Sequence, residues 1–334
     1  MIALYAHASG AIIGARDTQE DSHLCTVVER VVTQPSAPGA IEATVSELLV
    51  VVCDGMGGHA AGEIASAVAA RTFAETYERL VVAGAGAPSD KTRPLTPGSQ
   101  GAPGSGSPVP VTFEPAEGAR PLRADDPLLG ALLAANQAIQ QSAARKAERR
   151  GMGCTLVAAT FTATGVRWIS VGDSLIFRHQ KSGMERLNED HSMAPILDDL
   201  AHRGLMDRYE AQSSPRRHQL RAALTGGALD LVDLRDNELP LREGDWILMA
   251  TDGLESLSER NISDLVRQHG QEGADRLVDA LLVNTERVND PTQDNTTIVA
   301  IQARSGDGDV GQTVRTAPVT RTQPLGAHFA GSSS

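Results

Sequence analysis

An α+β fold, with sheets inside and helices outside, is predicted by three features of the sequence. Short β-rich runs outnumber helical stretches. Many of these runs are separated by only a few turn residues, which favours antiparallel pairing over parallel βαβ units. The helical patterns come in hairpin-like pairs, as expected of helices that each bury one stripe against a sheet.

In chain order, strands are expected at 23–32 (HLCTVVERVV), 45–53 (VSELLVVVC), 154–162, 165–171 (GVRWISV), 174–179, 228–234, 245–250 (DWILMA) and 296–302 (TTIVAIQ). A first helix is expected at about 60–82, where Ile64, Val68, Phe73, Tyr77 and Leu80 recur at near-helical spacing. A second is expected at about 126–150. Asp125 or Asp126 can cap it, Pro127 suits its first turn, and Leu128/Leu132 and Leu129/Leu133 form i,i+4 pairs. Arg145, Lys146, Arg149 and Arg150 crowd the negative end of its dipole before Gly151. A second helical pair is expected at about 258–285.

Two regions break the pattern. Residues 83–121 hold eight of the 17 prolines and almost no large apolar residues. They cannot bury enough surface to offset their ordering entropy, so a disordered insertion is expected. Residues 304–334 read as a disordered tail. What remains, roughly 260 residues, is compatible with one domain over 1–303.

The chain of 334 residues has a net charge of −12, which argues against nucleic acid or an anionic membrane as partner. Cys25, Cys53 and Cys154 stand singly and read as buried free thiols in a reducing compartment. MIALYAHASGAIIGARD lacks the basic region of a signal peptide, and no run approaches the roughly 18 apolar residues of a membrane helix. A cytoplasmic location is expected.

Four acids share one relation to the strands. LLVVVCDG ends in Asp54-Gly55, WILMATDG in Asp252-Gly253 and VRWISVGDS in Asp173-Ser174, while Asp294 opens DNTTIVAI. If those strands are neighbours, the carboxylates converge at one end of the sheets. Clustered anions at low dielectric repel unless protonated or neutralised by cations. Carboxylate oxygens suit hard ions such as Mg²⁺ or Mn²⁺, and no HExxH or HxH spacing points to zinc. ARDTQEDS adds Glu20 and Asp21, with Arg16 four residues before the Glu. An arginine there makes less sense as a counter-ion than as a fork for phosphate oxygens.

GARDTQEDS, VVCDGMGGHAAGEIAS, MGCTLVAAT, ISVGDS, LNEDHS, ILMATDGLES and DNTTIVAI occur in that order over nearly all the folded chain. Together they resemble the PP2C (PPM) metal-dependent protein serine/threonine phosphatases, in particular the bacterial branch. The resemblance implies a four-layer αββα sandwich, two antiparallel β-sheets flanked by antiparallel helix pairs, with two Mn²⁺ or Mg²⁺ ions at one edge. By the same resemblance Asp54 bridges both metals, the Gly55 carbonyl binds one, and Asp252 and Asp294 complete the other. Glu20 touches the centre and Asp21 supports it from behind. Arg16 binds phosphate, and Asp173 with Asp252 holds a third, weaker ion. The implied reaction is in-line attack on phosphorus by a water shared between the ions, on phosphorylated proteins. A cognate serine/threonine kinase and a monomeric chain are also expected.

The pattern has departures. Met56 stands where eukaryotic members write a histidine, which leaves the proton donor between His59 and a metal-bound water. GDSL replaces the more usual GDSR, which is expected to alter a surface contact. The flap-like segment 192–222 has its own residues and leaves substrate preference open.

Three rival readings fare worse. Gly55-x-Gly57-x-x-Ala60 fits a dinucleotide fingerprint, but the helix that follows runs into the expected disordered insertion instead of a second strand with its acid, and Asp54 would repel a pyrophosphate. The GDSL esterase motif leaves Asp54, Asp252 and Asp294 without a role. A catalytically weak binding module of the same fold would be expected to lose one of those acids, and all three are present.

Overall fold

The computed structural model describes residues 2–36, 39–57, 60–84, 125–306 and 319–321. The apolar run 48–53 shows how its layers arise. It ends strand β3 (Gly39–Cys53), along which successive side chains point to opposite faces. Leu49, Val51 and Cys53 share a core with helices α1 (Ala60–Gly84) and α2 (Pro127–Arg145). Leu48, Val50 and Val52 share another core with the opposing sheet. A strand buried on both faces needs an unbroken apolar run, and this one has it.

β3 lies in a five-stranded sheet of order β10 (Asp233–Leu239), β7 (Val166–Val171), β6 (Leu156–Phe161), β3, β2 (Ser22–Ser36). The second sheet has six strands: β13 (Val319–Arg321), β1 (Ile2–Ile12), β12 (Thr296–Gly306), β11 (Trp246–Ala250), β8 (Leu175–Gln180) and β9 (Gly183–Arg186). A two-residue ladder joins β4 (Gly55–Met56) to β5 (Gly153–Cys154). The expected antiparallel pairing is borne out in both main sheets, with one parallel contact between β1 and β13. Helices α5 (Glu259–His269) and α6 (Ala274–Val288) share a third core with the six-stranded sheet. Between β9 and β10 run the short helices α3 (Ala194–His202) and α4 (Arg208–Ser213).

Local chemistry sets the helix ends. Asp126 caps α2, accepting from Leu128 N at 2.9 Å, and Pro127 occupies the first turn. α2 stops at Arg145, five residues before the expected end, because Lys146 is extended. Ser258 caps α5 by accepting from Asn261 N at 3.2 Å.

Some expectations shift. The strand placed at 228–234 is found at Asp233–Leu239, and β1 and β9 were not foreseen. Leu175 is not at the surface. It is fully buried against α5 and α6, so the departure from GDSR is a core substitution. Of the expected insertion, residues 83 and 84 end α1 and the remainder lies outside the described residues. Of the expected tail, residues 304–306 end β12 and 319–321 form β13; the others, like His59, lie outside the described residues. No helix among the described residues is long and apolar enough to cross a membrane.

Phe161 is buried between the sheets with its ring edge-on to Tyr5, centroids 5.2 Å apart. Phe161→Ala is expected to lower stability by about 3–5 kcal/mol. Leu205→Ala, at a position 65% exposed, should change it by less than about 0.5 kcal/mol. Urea titrations of both variants check the contrast.

Candidate active site

The strand ends bring the predicted acids together. Asp54 follows β3, Asp173 lies between β7 and β8, Asp252 follows β11 after one residue, and Asp294 precedes β12. All four line one cleft of about 440 Å³, together with Arg16, Glu20 and Gly55. Thr155, His218 and Asn295 complete much of its wall.

Asp54 is fixed through its backbone. Its N–H donates to Thr155 Oγ1 at 3.1 Å and its carbonyl accepts from Thr155 N at 2.9 Å. The Thr155 hydroxyl in turn lies 2.7 Å from Ser174 Oγ, both side chains being buried. Ser174 of the GDSL sequence is therefore a strut under Asp54. Next to it, Gly55 is pressed between two carbonyls, those of Gly62 and Glu20, where a Cβ would collide with both. A Cβ on Gly62 would strike the Glu20 carboxylate, so the start of α1 makes room for that acid.

Asn295 holds the loop that carries Arg16 and Glu20. Its Nδ2 donates to the carbonyls of Ile13 (2.8 Å) and Thr18 (3.0 Å), and its Oδ1 accepts from Glu20 N (2.7 Å). Behind the cleft, the Thr251 hydroxyl donates to Asp21 Oδ2 at 2.9 Å and accepts from Thr297 N at 2.9 Å. Arg16 is more than half exposed and pairs through Nη2 with Asp294. Sequence reasoning preferred a substrate fork to a counter-ion; as it stands the guanidinium neutralises an acid.

Burial dominates the electrostatics. It lifts the Asp54 carboxyl well above its ordinary range, and the charges of Asp21, Asp252, Asp294 and Asp173 add to the effect. Asp252 is raised by burial and by Asp294, partly offset by a hydrogen bond with Asp54. Asp173 is pushed up to about 8, by burial first and then by Asp252, Asp190 and Glu255. Asp21 rises to about 7 by burial, against the hydrogen bonds of Thr297 and Thr251.

Among the described residues, no group of three or more His, Cys, Asp or Glu side chains is already arranged as a ligand set. The fit to a hard divalent cation rests instead on the donor chemistry and on vacant valence. The converging acids offer only carboxylate oxygens, and among the described residues Asp252 Oδ1 is buried without a hydrogen-bond partner.

Sequence reasoning did not foresee Thr155, Thr251, His218 or Asn295. Thr155, Thr251 and Asn295 stand inside quoted motifs, but their bonds reach across the chain and leave no spacing signal. His218 lies in a segment with no periodic pattern at all.

Two antiparallel sheets carrying a carboxylate-lined cleft at their common end are the class that fold and site define. Comparison with known proteins supplies the family. The sequence model of the family described as Protein phosphatase 2C matches residues 40–286. Serine/threonine phosphatase stp of Listeria welshimeri is 26% identical over 230 residues, covering 69% of this chain and 75% of that protein. Serine/threonine protein phosphatase PstP of Mycobacterium tuberculosis is 29% identical over 268 residues, which is 79% of this chain and 42% of PstP. The crystal structure of PstP/Ppp from that organism has a TM-score of 0.59 at 23% identity, covering 91% of this chain and 100% of that one. A PstP catalytic domain in complex with two manganese ions gives 0.58 at 22% identity, covering 91% and 100%. This chain belongs to the protein phosphatase 2C family, the metal-dependent phosphoprotein phosphatases.

The raised carboxyls have a consequence for stability. Their ordinary value is 3.8, so between about pH 4 and pH 8 the folded state holds protons that the unfolded state releases. The stability these two carboxyls contribute is lost as pH rises through that window. In EDTA, the melting temperature is expected to drop from about pH 5 to pH 8, and Asp21→Asn should make the drop shallower. Thermal unfolding across that range checks both.

Proposed function

We propose that this chain is a protein serine/threonine phosphatase that hydrolyses phosphoserine and phosphothreonine by in-line attack of water on phosphorus. The observation that carries the reading is the convergence of Asp54, Asp173, Asp252, Asp294, Glu20 and Arg16 on one cleft of a protein phosphatase 2C chain. The names of the relatives support it, as does the manganese-bound PstP structure.

Asp54 would be shared by two Mn²⁺ or Mg²⁺ ions, with the Gly55 carbonyl and Glu20 serving one and Asp252 and Asp294 the other. Asp173 with Asp252 would serve a third, weaker site. When bound, such ions supply an activated water and a sink for negative charge. The chain's own groups do the rest. Burial and mutual repulsion push the Asp54, Asp173 and Asp252 carboxyls toward the protonated form, and a cation would bind them as carboxylates. Arg16 exchanges Asp294 for phosphate oxygens, a fork of donors suited to an anion gaining charge in the transition state. Thr155 and Asn295 keep Asp54 and the arginine loop in place while this happens. Met56 lines the cleft but has no proton to give.

The folded unit would span 1–303, extended by the end of β12 and by β13, and would act as a cytoplasmic monomer on proteins phosphorylated by a cognate kinase. Hydrolysis of p-nitrophenyl phosphate and of a phosphothreonine peptide should require Mn²⁺ or Mg²⁺ and vanish in EDTA. Asp54→Asn or Asp252→Asn should lower turnover by about a thousandfold or more, ~4 kcal/mol of barrier. Arg16→Ala should lower kcat/KM by about 10–100-fold, the worth of charged hydrogen bonds of ~1.5–3 kcal/mol. Turnover that survives EDTA, or an Asp54→Asn variant with wild-type rates, would overturn the reading.

A further inference from the structure

We infer that His218 is the proton donor to the leaving alkoxide of the phosphorylated side chain. The inference rests on the phosphatase reading and adds a residue to it. Loss of a seryl or threonyl alkoxide from phosphorus requires a proton, because the free alkoxide is a very strong base. The residue that follows Asp54-Gly55 is Met56, and its thioether carries no proton. Among the described residues lining the cleft, His218 brings the one imidazole. Arg16 is paired with Asp294, and the Thr155 hydroxyl is engaged by Ser174 and by Asp54 N.

The placement of His218 is built rather than incidental. On one side, Arg217 is clamped to Asp198 by two bonds of 2.8 Å. On the other, the Gln219 carbonyl accepts from Met193 N at 2.9 Å and Leu220 bridges to Ser192. With Arg217 N also donating to the Ser214 carbonyl at 3.0 Å, the chain is tied down on both sides of the histidine, while no hydrogen bond or ion pair engages its ring among the described residues. His218, exposed at the rim, also lines the neighbouring cavity of about 270 Å³, so it stands where the two spaces meet, near enough to Asp252 for their charges to interact. A phosphorylated side chain held by Arg16 would occupy the same cleft that His218 lines.

The step balances without another reagent. The water oxygen forms its bond to phosphorus as the bond from phosphorus to the seryl or threonyl oxygen breaks. That electron pair stays on the leaving oxygen, which takes the proton from the imidazolium. The neutral imidazole regains a proton from solvent, and the proton of the attacking water leaves with phosphate or to solvent.

The test compares leaving groups in the Mn²⁺-loaded protein. p-Nitrophenolate departs without a proton, whereas a threonyl alkoxide does not. His218→Asn is expected to lower kcat on a phosphothreonine peptide about 100-fold, a usual contribution of acid catalysis, and that on p-nitrophenyl phosphate only a few-fold. Across a series of aryl phosphates, the variant's rates should fall more steeply with leaving-group basicity than those of the wild type. In His218→Gly, added imidazole should restore peptide turnover, a rescue that a purely structural role would not show. Equal losses on both substrates, an unchanged slope, or no imidazole rescue would overturn the assignment and leave the phosphatase reading standing. A wild-type protein inactive on both substrates would instead overturn that reading, and this inference with it.

Discussion

Carboxylates brought side by side out of water repel one another, and the organisation of this molecule follows from tolerating that at one end of its sheets. Two unit charges about 4 Å apart repel by roughly 4 kcal/mol at an effective dielectric of 20. Burial is the largest cause of the shift at Asp54, Asp252 and Asp173 alike, with neighbouring carboxylates adding to it. A site of this kind cannot rely on its own attractions to hold together. It must be held by something else.

That something is the pair of stacked sheets and the polar struts behind the cleft. Val50 and Val52 are locked against Ile247, Met249 and Val299 in the inter-sheet core, while Val51 and Cys53 are locked against the helices. A strand gripped on both faces has little freedom to recoil when its terminal residue is pushed. The struts then finish the positioning. Ser174 steadies Thr155, Thr155 steadies Asp54, and Thr251 connects Asp21 to Thr297. Asn188 performs the same service for the turn before β8, donating to the Ser174 carbonyl at 2.8 Å and accepting from Ile176 N at 2.8 Å. The LNEDHS sequence thus acts on the cleft at one remove.

The parts of this arrangement that the amino-acid order reveals are those with a local signature. Asp54 and Asp252 announce themselves because a dense apolar run stops abruptly at an acid followed by glycine. The inner strands announce themselves because burial on both faces demands continuous apolar residues. β10 was misplaced for the opposite reason. It is an edge strand whose DLRDNEL sequence is mostly polar, with Asp233 accepting from Trp168 Nε1 at 3.0 Å and Arg235 lying over the same indole. β1 is built largely of alanine, serine and glycine, too small to stand out by hydrophobicity. The Asn295 and His218 placements depend on where distant segments meet, and spacing along the chain carries no trace of that.

The Asn295 bonds join residues 275 and more positions apart, and β1 pairs along its length with β12. Contacts so distant in sequence form late, since a large loop must close before any of them is rewarded. During synthesis on the ribosome, the segment bearing Arg16 would emerge well before Asn295, whose bond to Glu20 spans 275 positions. A chain cut short of Asn295 and β12 would be unable to assemble the cleft, so activity would appear in one step rather than grow with chain length.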